Sequence, residues 1–388
     1  MNDVLNMKIS DLANCSFACN CGRTHSSNIE KIIIKQGALL EVPSVLKQYK
    51  KGKILIVADT NTYDVAGRQV ESLLKDDGYI IHTFIYKEKD IDPDVYFAGR
   101  LMMELQKDMS VICAIGSGVI NDLVRFIAYR VNLPYIIVGT APSMDGYASK
   151  ISPMVVDQFK SNYAGNYPYA IIADTQIVKE APMIMIQAGL GDMLGKLTAI
   201  ADWCLSVKVT GEFFCDTMAN LMLNALQKCI DNVDKVAKRD ESAIGYITEG
   251  LVLAGIAMGM YEETRPASGS EHFFAHYWDV DAIKRGEKHP LHGNSVAVGT
   301  VISAMLYELA KEYLPANFII PDSKIIIDIL DKVNACTDPK KLGISEELLY
   351  QSILHAMDGR DRYTILQFCD EIGKLESYAK LITNKFYG

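Results

Sequence analysis

What most restricts the fold of this chain is a change of texture near residue 180. Before it, short apolar runs recur at Ile32–Ile34, Ile54–Ala58, Ile80–Tyr86, Val111–Ile115, Tyr135–Val138 and Ala170–Asp174. Runs of this length and composition read as buried strands, and the amphipathic stretches between several of them read as crossover helices. The clearest such stretch follows Ile115, where Val119, Ile120, Leu123, Val124, Ile127 and Val131 recur at spacings of three and four. That spacing gives a helix one apolar stripe to lay on a parallel sheet. After Asp174 the strand patterns nearly vanish, and long helical patterns run from Ile184 through Val207, across Cys215–Val236 and from Ser295 to Tyr313. The expected fold class is therefore α/β plus all-α, with a Rossmann-like parallel-sheet domain over residues 1–180 and a helical domain over 181–388. Pro182 interrupts the pattern at the junction. A cleft between two such halves is where a ligand site belongs.

At 388 residues the chain exceeds what one core usually fills, which agrees with two domains. A net charge of −9 without a long basic run gives no general attraction for nucleic acid, so no nucleic-acid partner is expected. The first residues lack the apolar stretch of a secretory signal. The longest apolar segment, Gly250–Met260, is flanked by Glu249, Glu262 and Glu263 and reads as a buried helix too short to span a bilayer. Nine cysteines, an odd number, fit a reducing compartment better than a disulfide framework, and the cytoplasm is the expected location.

Two loops fall at strand ends, the edge that carries ligands in open parallel sheets. Gly116-Ser117-Gly118 follows an apolar strand and opens the amphipathic helix, so backbone N–H groups and a positive helix end converge where glycine permits close approach. Asn121 stands where the third glycine of the full dinucleotide fingerprint would be, and a plain tight turn is the competing reading. Asp59 ends the strand Ile54–Ala58, where it could accept bonds from an adenosine ribose or simply cap the following turn. The second loop, Thr140 to Ser149, is dense in hydroxyls around Asp145, although Pro142, Asp145 and Gly146 would serve any turn.

Four of the seven histidines lie between positions 272 and 292. His272 and His276 are spaced i, i+4, so a helix presents both on one face. His292 precedes a helical run, where the positive helix end disfavours imidazolium and keeps a nitrogen lone pair available. Asp192, in Gly189-Leu190-Gly191-Asp192-Met193, reads as opening another helix, either as its N-cap or as a ligand. One carboxylate and two imidazoles would hold a divalent ion while leaving positions open for substrate.

The segments GSGVINDLVR at 116–125, TAPSMDGYAS at 140–149, GLGDMLGK at 189–196, RPASGSEHFFAH at 265–276 and HPLHGNSVAVGT at 289–300 resemble the iron-alcohol dehydrogenase and dehydroquinate synthase superfamily, most closely the bacterial sn-glycerol-1-phosphate dehydrogenases. The resemblance implies a nicotinamide in the interdomain cleft, a homodimer, and reduction of dihydroxyacetone phosphate, a small phosphorylated substrate, to sn-glycerol 1-phosphate. It assigns Asp192, His272 and His292 to a Zn²⁺ or Ni²⁺ ion, and His276 and Asp145 to substrate. Gly118, Val119, Ile120, Asn121, Asp122, Thr140, Ala141, Pro142, Ser143 and Ser149 fall to NAD or NADP, beside Gly116 and Asp59 from the loop reading. Asn294 in place of Glu, Ser117 within a usual glycine triplet and Arg125 for Lys depart from the superfamily pattern and bear on fine specificity. In an acidic protein the substrate phosphate needs local cations, and Arg265, Lys196 and Lys288 stand nearest the motifs. Competing functions are an unphosphorylated polyol dehydrogenase and a dehydroquinate synthase-like lyase. A metal-stabilised binding protein is a third, motivated by Cys15, Cys19, Cys21 and His25, whose spacing is not the usual C-x2-C knuckle.

Overall fold

The computed structural model describes residues 3–157 and 159–388. Ten strands occur among them: β1 Ser16–Ala18, β2 Thr24–Ser26, β3 Lys31–Lys35, β4 Lys53–Asp59, β5 Ile80–Tyr86, β6 Met109–Gly116, β7 Tyr135–Gly139, β8 Ile151–Val156, β9 Phe159–Ala164 and β10 Ala170–Asp174. Six of these form one parallel sheet in the order β3-β10-β7-β6-β4-β5. All six apolar runs read from the sequence are strands of this sheet. The helices that matter below are α1 Arg68–Asp76, α2 Val95–Met103, α3 Gly118–Arg130, α4 Met183–Thr210, α5 Asp216–Asp231, α6 Glu241–Tyr261, α7 Ser270–Lys284 and α8 His292–Leu309.

Alternate residues of a strand face opposite sides of the sheet, and here they feed two different cores. Ile54, Ile56, Val111, Cys113, Ile136 and Ile172 pack with Val70 and Leu74 of α1 on one face. Leu55, Val57, Ile112, Ala114, Ile137 and Ile171 pack with α3 on the other, and that core runs without interruption into α4, α5, α6 and α8. The helical half is thus joined to one face of the sheet by shared apolar packing rather than by a hydrated linker.

Chain order along the sheet reverses between β4 and β6, because β5 lies beyond β4 while β7 lies beyond β6. The carboxyl ends of β4 and β6 flank this switch point, where open α/β sheets receive their ligands. They carry Asp59 and Gly116.

Two hairpins carry little apolar signal and escape sequence reading. β1 pairs with β2 through three residues, and β8 pairs with β9 in a ribbon whose second strand, Phe-Lys-Ser-Asn-Tyr-Ala, is mostly exposed. The buried helix expected around Gly250–Met260 is longer than that segment. α6 has 21 residues, enough by length and composition to span a bilayer, and it lies mostly buried as a core helix.

Candidate active site

α4 carries Asp192 into the middle of the molecule. The residue is fully buried inside this 28-residue helix and caps nothing, so the expectation that Asp192 opens a helix is corrected. The neighbouring glycines act as spacers rather than breakers. A Cβ on Gly189 would stand 1.8 Å from the Pro142 carbonyl oxygen, and one on Gly191 would stand 2.5 Å from that of Gly293. Only glycine lets α4 press against both the Thr140–Ser149 loop and the start of α8, which brings Asp192 to His292.

Asp192 Oδ2 accepts the backbone N–H of Asp145 at 2.9 Å, and Oδ1 accepts Lys196 Nζ at 2.8 Å. Lys196 also donates to Asp145 Oδ2 at 2.7 Å. Burial alone would drive this ammonium toward neutrality, but Asp145 and Asp192 more than reverse the effect and hold it charged. Burial likewise opposes ionisation of Asp192, and Lys196, His292 and His272 outweigh it, keeping the group a carboxylate.

His272 lies in the first turn of α7 and His292 is the first residue of α8. One ligand atom each from Asp192, His272 and His292 falls within 4.8 Å of the others, and His272 Nε2 stands 3.7 Å from Asp192 Oδ1. His272 Nδ1 is 2.7 Å from Glu271 Oε1. Glu271 is buried and further accepts the Thr198 hydroxyl and the Gly269 N–H, both at 2.6 Å. Burial opposes its ionisation, yet His272, Thr198 and Gly269 keep it below the usual glutamate range. An ionised Glu271 can only accept, so Nδ1 carries a proton and the ring is held with Nε2 turned toward Asp192. Burial pushes His292 down to about 4, with Asp192 opposing and His272 and Lys160 adding to the push, so its imidazole is neutral near pH 7. One carboxylate oxygen and two imidazole nitrogens suit Zn²⁺ or Ni²⁺ and leave coordination positions open.

His276, one turn along α7, stands beside both, with ring centroids 6.4 Å from His272 and 5.8 Å from His292. Burial, then Lys160, His292, His272 and Arg360, hold His276 well below the usual histidine range. Lys160 comes from β9 and is fixed by an ion pair of 2.7 Å to the buried Asp279 of α7. Arg360 lies over the Phe273 ring at 5.4 Å. Lys160 and Arg360 are the cations near enough to disfavour a charge on His276. Arg265 is buried and committed to Glu212, the Tyr363 carbonyl and Ser206, and Lys288 pairs with Asp90 at the surface. Lys196 reaches the site, but its charge is already matched by two carboxylates.

At the sheet edge, Gly116 ends β6 and α3 begins at Gly118. Ser117 Oγ and Ser143 Oγ, 2.5 Å apart, join this loop to the Thr140–Ser149 loop, and Thr140 donates its N–H to the Gly116 carbonyl. Asn121 Nδ2 donates to the Gly146 carbonyl, while its Oδ1 is buried without a partner among the described residues. An unpartnered acceptor beside a glycine turn and a helix N-terminus fits a bound coenzyme. Val119 and Ile120 lie in the first turn of α3, and Ala141 and Pro142 are buried members of the second loop. Asp122 spends its carboxylate on Arg125 at 2.7 Å, and Arg125 in turn holds Tyr135 and the Ile151 and Gly146 carbonyls. Ser149 bonds within its own turn to Ile151, and Asp59 Oδ1 caps the following turn through Thr62 N–H at 2.8 Å.

Glu271, Lys160 and Arg360 had no role in the sequence reading. The Glu-His pair opening α7 was a usable signal for the first; the other two arrive from distant segments. Near the N-terminus, Cys19, Cys21 and His25 converge, but Cys15 does not join them, and Cys215 takes the fourth place.

A family model described as "Iron-containing alcohol dehydrogenase" matches residues 33–182. The chain is 31% identical over 390 residues to a glycerol-1-phosphate dehydrogenase [NAD(P)+] of Bacillus licheniformis, covering 97% of this chain and 96% of the relative. It is 34% identical over 362 residues to that of Bacillus velezensis, covering 88% and 91%, and 33% identical over 338 residues to that of Methanosarcina mazei, covering 86% and 89%. Among solved structures, the glycerol dehydrogenase of Schizosaccharomyces pombe aligns with a TM-score of 0.66 at 18% identity over 91% of this chain and 90% of that one. Sulfoacetaldehyde reductase of Bifidobacterium kashiwanohense, solved with NAD+, aligns at 0.68 and 14% identity over 91% and 96%. These two likenesses establish the shared fold.

Proposed function

The chain belongs to the glycerol-1-phosphate dehydrogenases, and from that premise we propose that the cleft holding Asp192, His272, His292 and His276 reduces dihydroxyacetone phosphate to sn-glycerol 1-phosphate with NAD(P)H. The observation that carries this reading is the meeting of one carboxylate and two imidazoles at one point, with a third histidine beside them. Asp192, His272 and His292 would hold a Zn²⁺ or Ni²⁺ ion, which would supply Lewis-acid polarisation of a carbonyl, and the nicotinamide would supply the hydride.

The chain's own residues arrange the rest. Glu271 fixes the tautomer and aim of His272. Lys196 balances the negative charge of Asp145 and Asp192, and Asp145 keeps Oδ1 for a substrate hydroxyl. His276, held neutral, has a donor on one ring nitrogen and an acceptor on the other, which suits relaying a proton from solvent to the reduced oxygen. Lys160, held by Asp279 but close enough to act on His276, and Arg360, which no carboxylate pairs among the described residues, are the cations assigned to the substrate phosphate. The Gly116–Asp122 and Thr140–Ser149 loops would hold the coenzyme at the switch point of the sheet, with Asp59 near its ribose.

Homodimer assembly belongs to the same reading and rests on the resemblance; sedimentation of the purified protein tests it. Nine free thiols suit a reducing compartment, and we place the enzyme in the cytoplasm. The decisive experiment follows NADH and NADPH oxidation with dihydroxyacetone phosphate, and with dihydroxyacetone, in protein stripped of metal and reloaded with Zn²⁺ or Ni²⁺. Turnover should need the metal and favour the phosphorylated ketone. No turnover under any loading would sink the substrate, and equal rates with and without the phosphate would remove the role given to Lys160 and Arg360.

A further inference from the structure

We propose that Cys19, Cys21, His25 and Cys215 form a closed tetrahedral Zn²⁺ site that clamps the N-terminal hairpin onto the helical domain. One ligand atom from each lies within 4.8 Å of the others. Tetrahedral geometry at ordinary zinc bond lengths separates two sulfurs by about 3.8 Å and a sulfur from a nitrogen by about 3.6 Å. Here Cys19 Sγ is 3.7 Å from Cys215 Sγ, and His25 Nε2 is 3.3 Å from Cys21 Sγ and 3.4 Å from Cys215 Sγ.

The surroundings prepare each ligand. His25 is buried, and its Nδ1 lies 2.7 Å from the Met260 carbonyl near the end of α6, which places the proton on Nδ1 and turns the Nε2 lone pair toward the sulfurs. Cys19 and Cys21 come from the turn of the β1–β2 hairpin. That turn is closed by Cys19 N–H donating to the Arg23 carbonyl and Gly22 N–H donating to Cys19, with Gly22 at φ +88° in the left-handed region. Cys215 is the buried N-cap residue of the 16-residue α5, and that position sets its sulfur beside the hairpin turn, 3.7 Å from Cys19 Sγ. Cys19 Sγ donates to Thr217 Oγ1 at 3.2 Å, and the same hydroxyl could turn its proton to the sulfur once zinc had displaced the thiol's.

A disulfide does not account for this arrangement. All nine cysteines are free, and joining Cys19 to Cys215 would leave Cys21 and the His25 lone pair without a purpose. Nor does the cluster suit catalysis, since four protein ligands leave no position for substrate and two of them are buried. It suits a staple. Strands of three residues cannot hold a hairpin by themselves, and this one precedes the edge strand β3. Zinc would fix that edge to α5 and α6, across a sequence separation of 196 positions from Cys19 to Cys215.

Metal analysis of the purified enzyme tests this separately from turnover. Wild-type protein loaded with Zn²⁺ should hold two equivalents per chain, and titrating its thiols with a mercurial in the presence of a zinc indicator should release one. C21S and C215S should each bind one equivalent fewer and unfold at lower temperature, whereas C15S should keep both. D192N should lose the other equivalent and, loaded with Co²⁺, should show thiolate-to-cobalt charge-transfer absorption. Should C215S fail to fold, the mercurial release and the cobalt spectrum still decide. Release of no zinc on full thiol titration, a cobalt spectrum without the charge-transfer band, or a mass two hydrogens short in wild-type protein would overturn the site.

Discussion

The active-site cluster and the N-terminal cysteine cluster are built from opposite materials. The first gathers one carboxylate and two imidazoles from α4, α7 and α8, with His292 partly exposed. The second gathers three sulfurs and one imidazole, and closes around them. Three hard or borderline ligands with an open side make a metal available to a passing oxygen, while four softer ligands make it part of the architecture. The contrast extends to their supports. Glu271, Lys196 and Asp145 surround the open cluster with charge that can respond to a ligand, whereas the Met260 carbonyl and Thr217 hydroxyl give the closed one fixed dipoles.

The contrast breaks most easily at Asp192. Asp192→Asn keeps the shape of the side chain but removes the charge that faces both histidines and Lys196. Turnover should fall on the order of 10³-fold or more, with one metal equivalent lost and the fold intact by circular dichroism. Full activity in this variant would mean that the open cluster is not the reaction centre. Glu271→Gln probes one layer out. Gln can offer its amide N–H to His272, which would let the Nε2 tautomer reverse, so metal affinity should drop about 10–100-fold by competition with a chelator. Unchanged affinity would show that the buried carboxylate serves packing alone. Lys160→Ala should raise KM for dihydroxyacetone phosphate about tenfold, as expected when one charge-assisted bond is lost, and leave KM for dihydroxyacetone nearly unchanged. Equal effects on both ketones would return Lys160 to a purely structural role against Asp279.

Much of this was legible in the sequence, for reasons that differ by region. The sheet announced itself because strands buried on both faces need continuous apolar runs, and β4 and β10 have no room for anything else. His272 and His276 were legible as a pair because one helix enforces their spacing. Asp192 was legible as a candidate ligand but was given the wrong local setting. Gly189 and Gly191 carry a cost of about 1 kcal/mol each in a helix and so read as a start signal, when their use is close approach to Pro142 and Gly293. Of the three cations named from the sequence, Lys196 reaches the site while Arg265 and Lys288 are engaged elsewhere, because nearness in sequence to a motif says little about facing it. Lys160 arrives on a polar hairpin, and Arg265 disappears into a buried ion pair. Cys215 was out of reach, since nothing in a single sequence ties it to a cysteine 196 positions earlier.

The smallest effect should come from the closed cluster's own support, and it sharpens the difference between the two. Thr217→Val removes the hydroxyl beside Cys19 but none of the four ligands and little volume. With geometry already fixed by four protein atoms, zinc content should stay at the wild-type level, and stability should fall by at most about 1 kcal/mol, the net value of one ordinary hydrogen bond. Denaturant midpoints measured alongside zinc content separate the outcomes. Loss of the zinc equivalent on so slight a change would mean that the cysteine cluster depends on its surroundings as strongly as the active site depends on Glu271, and the division between an open, tuned site and a closed, self-sufficient one would fail.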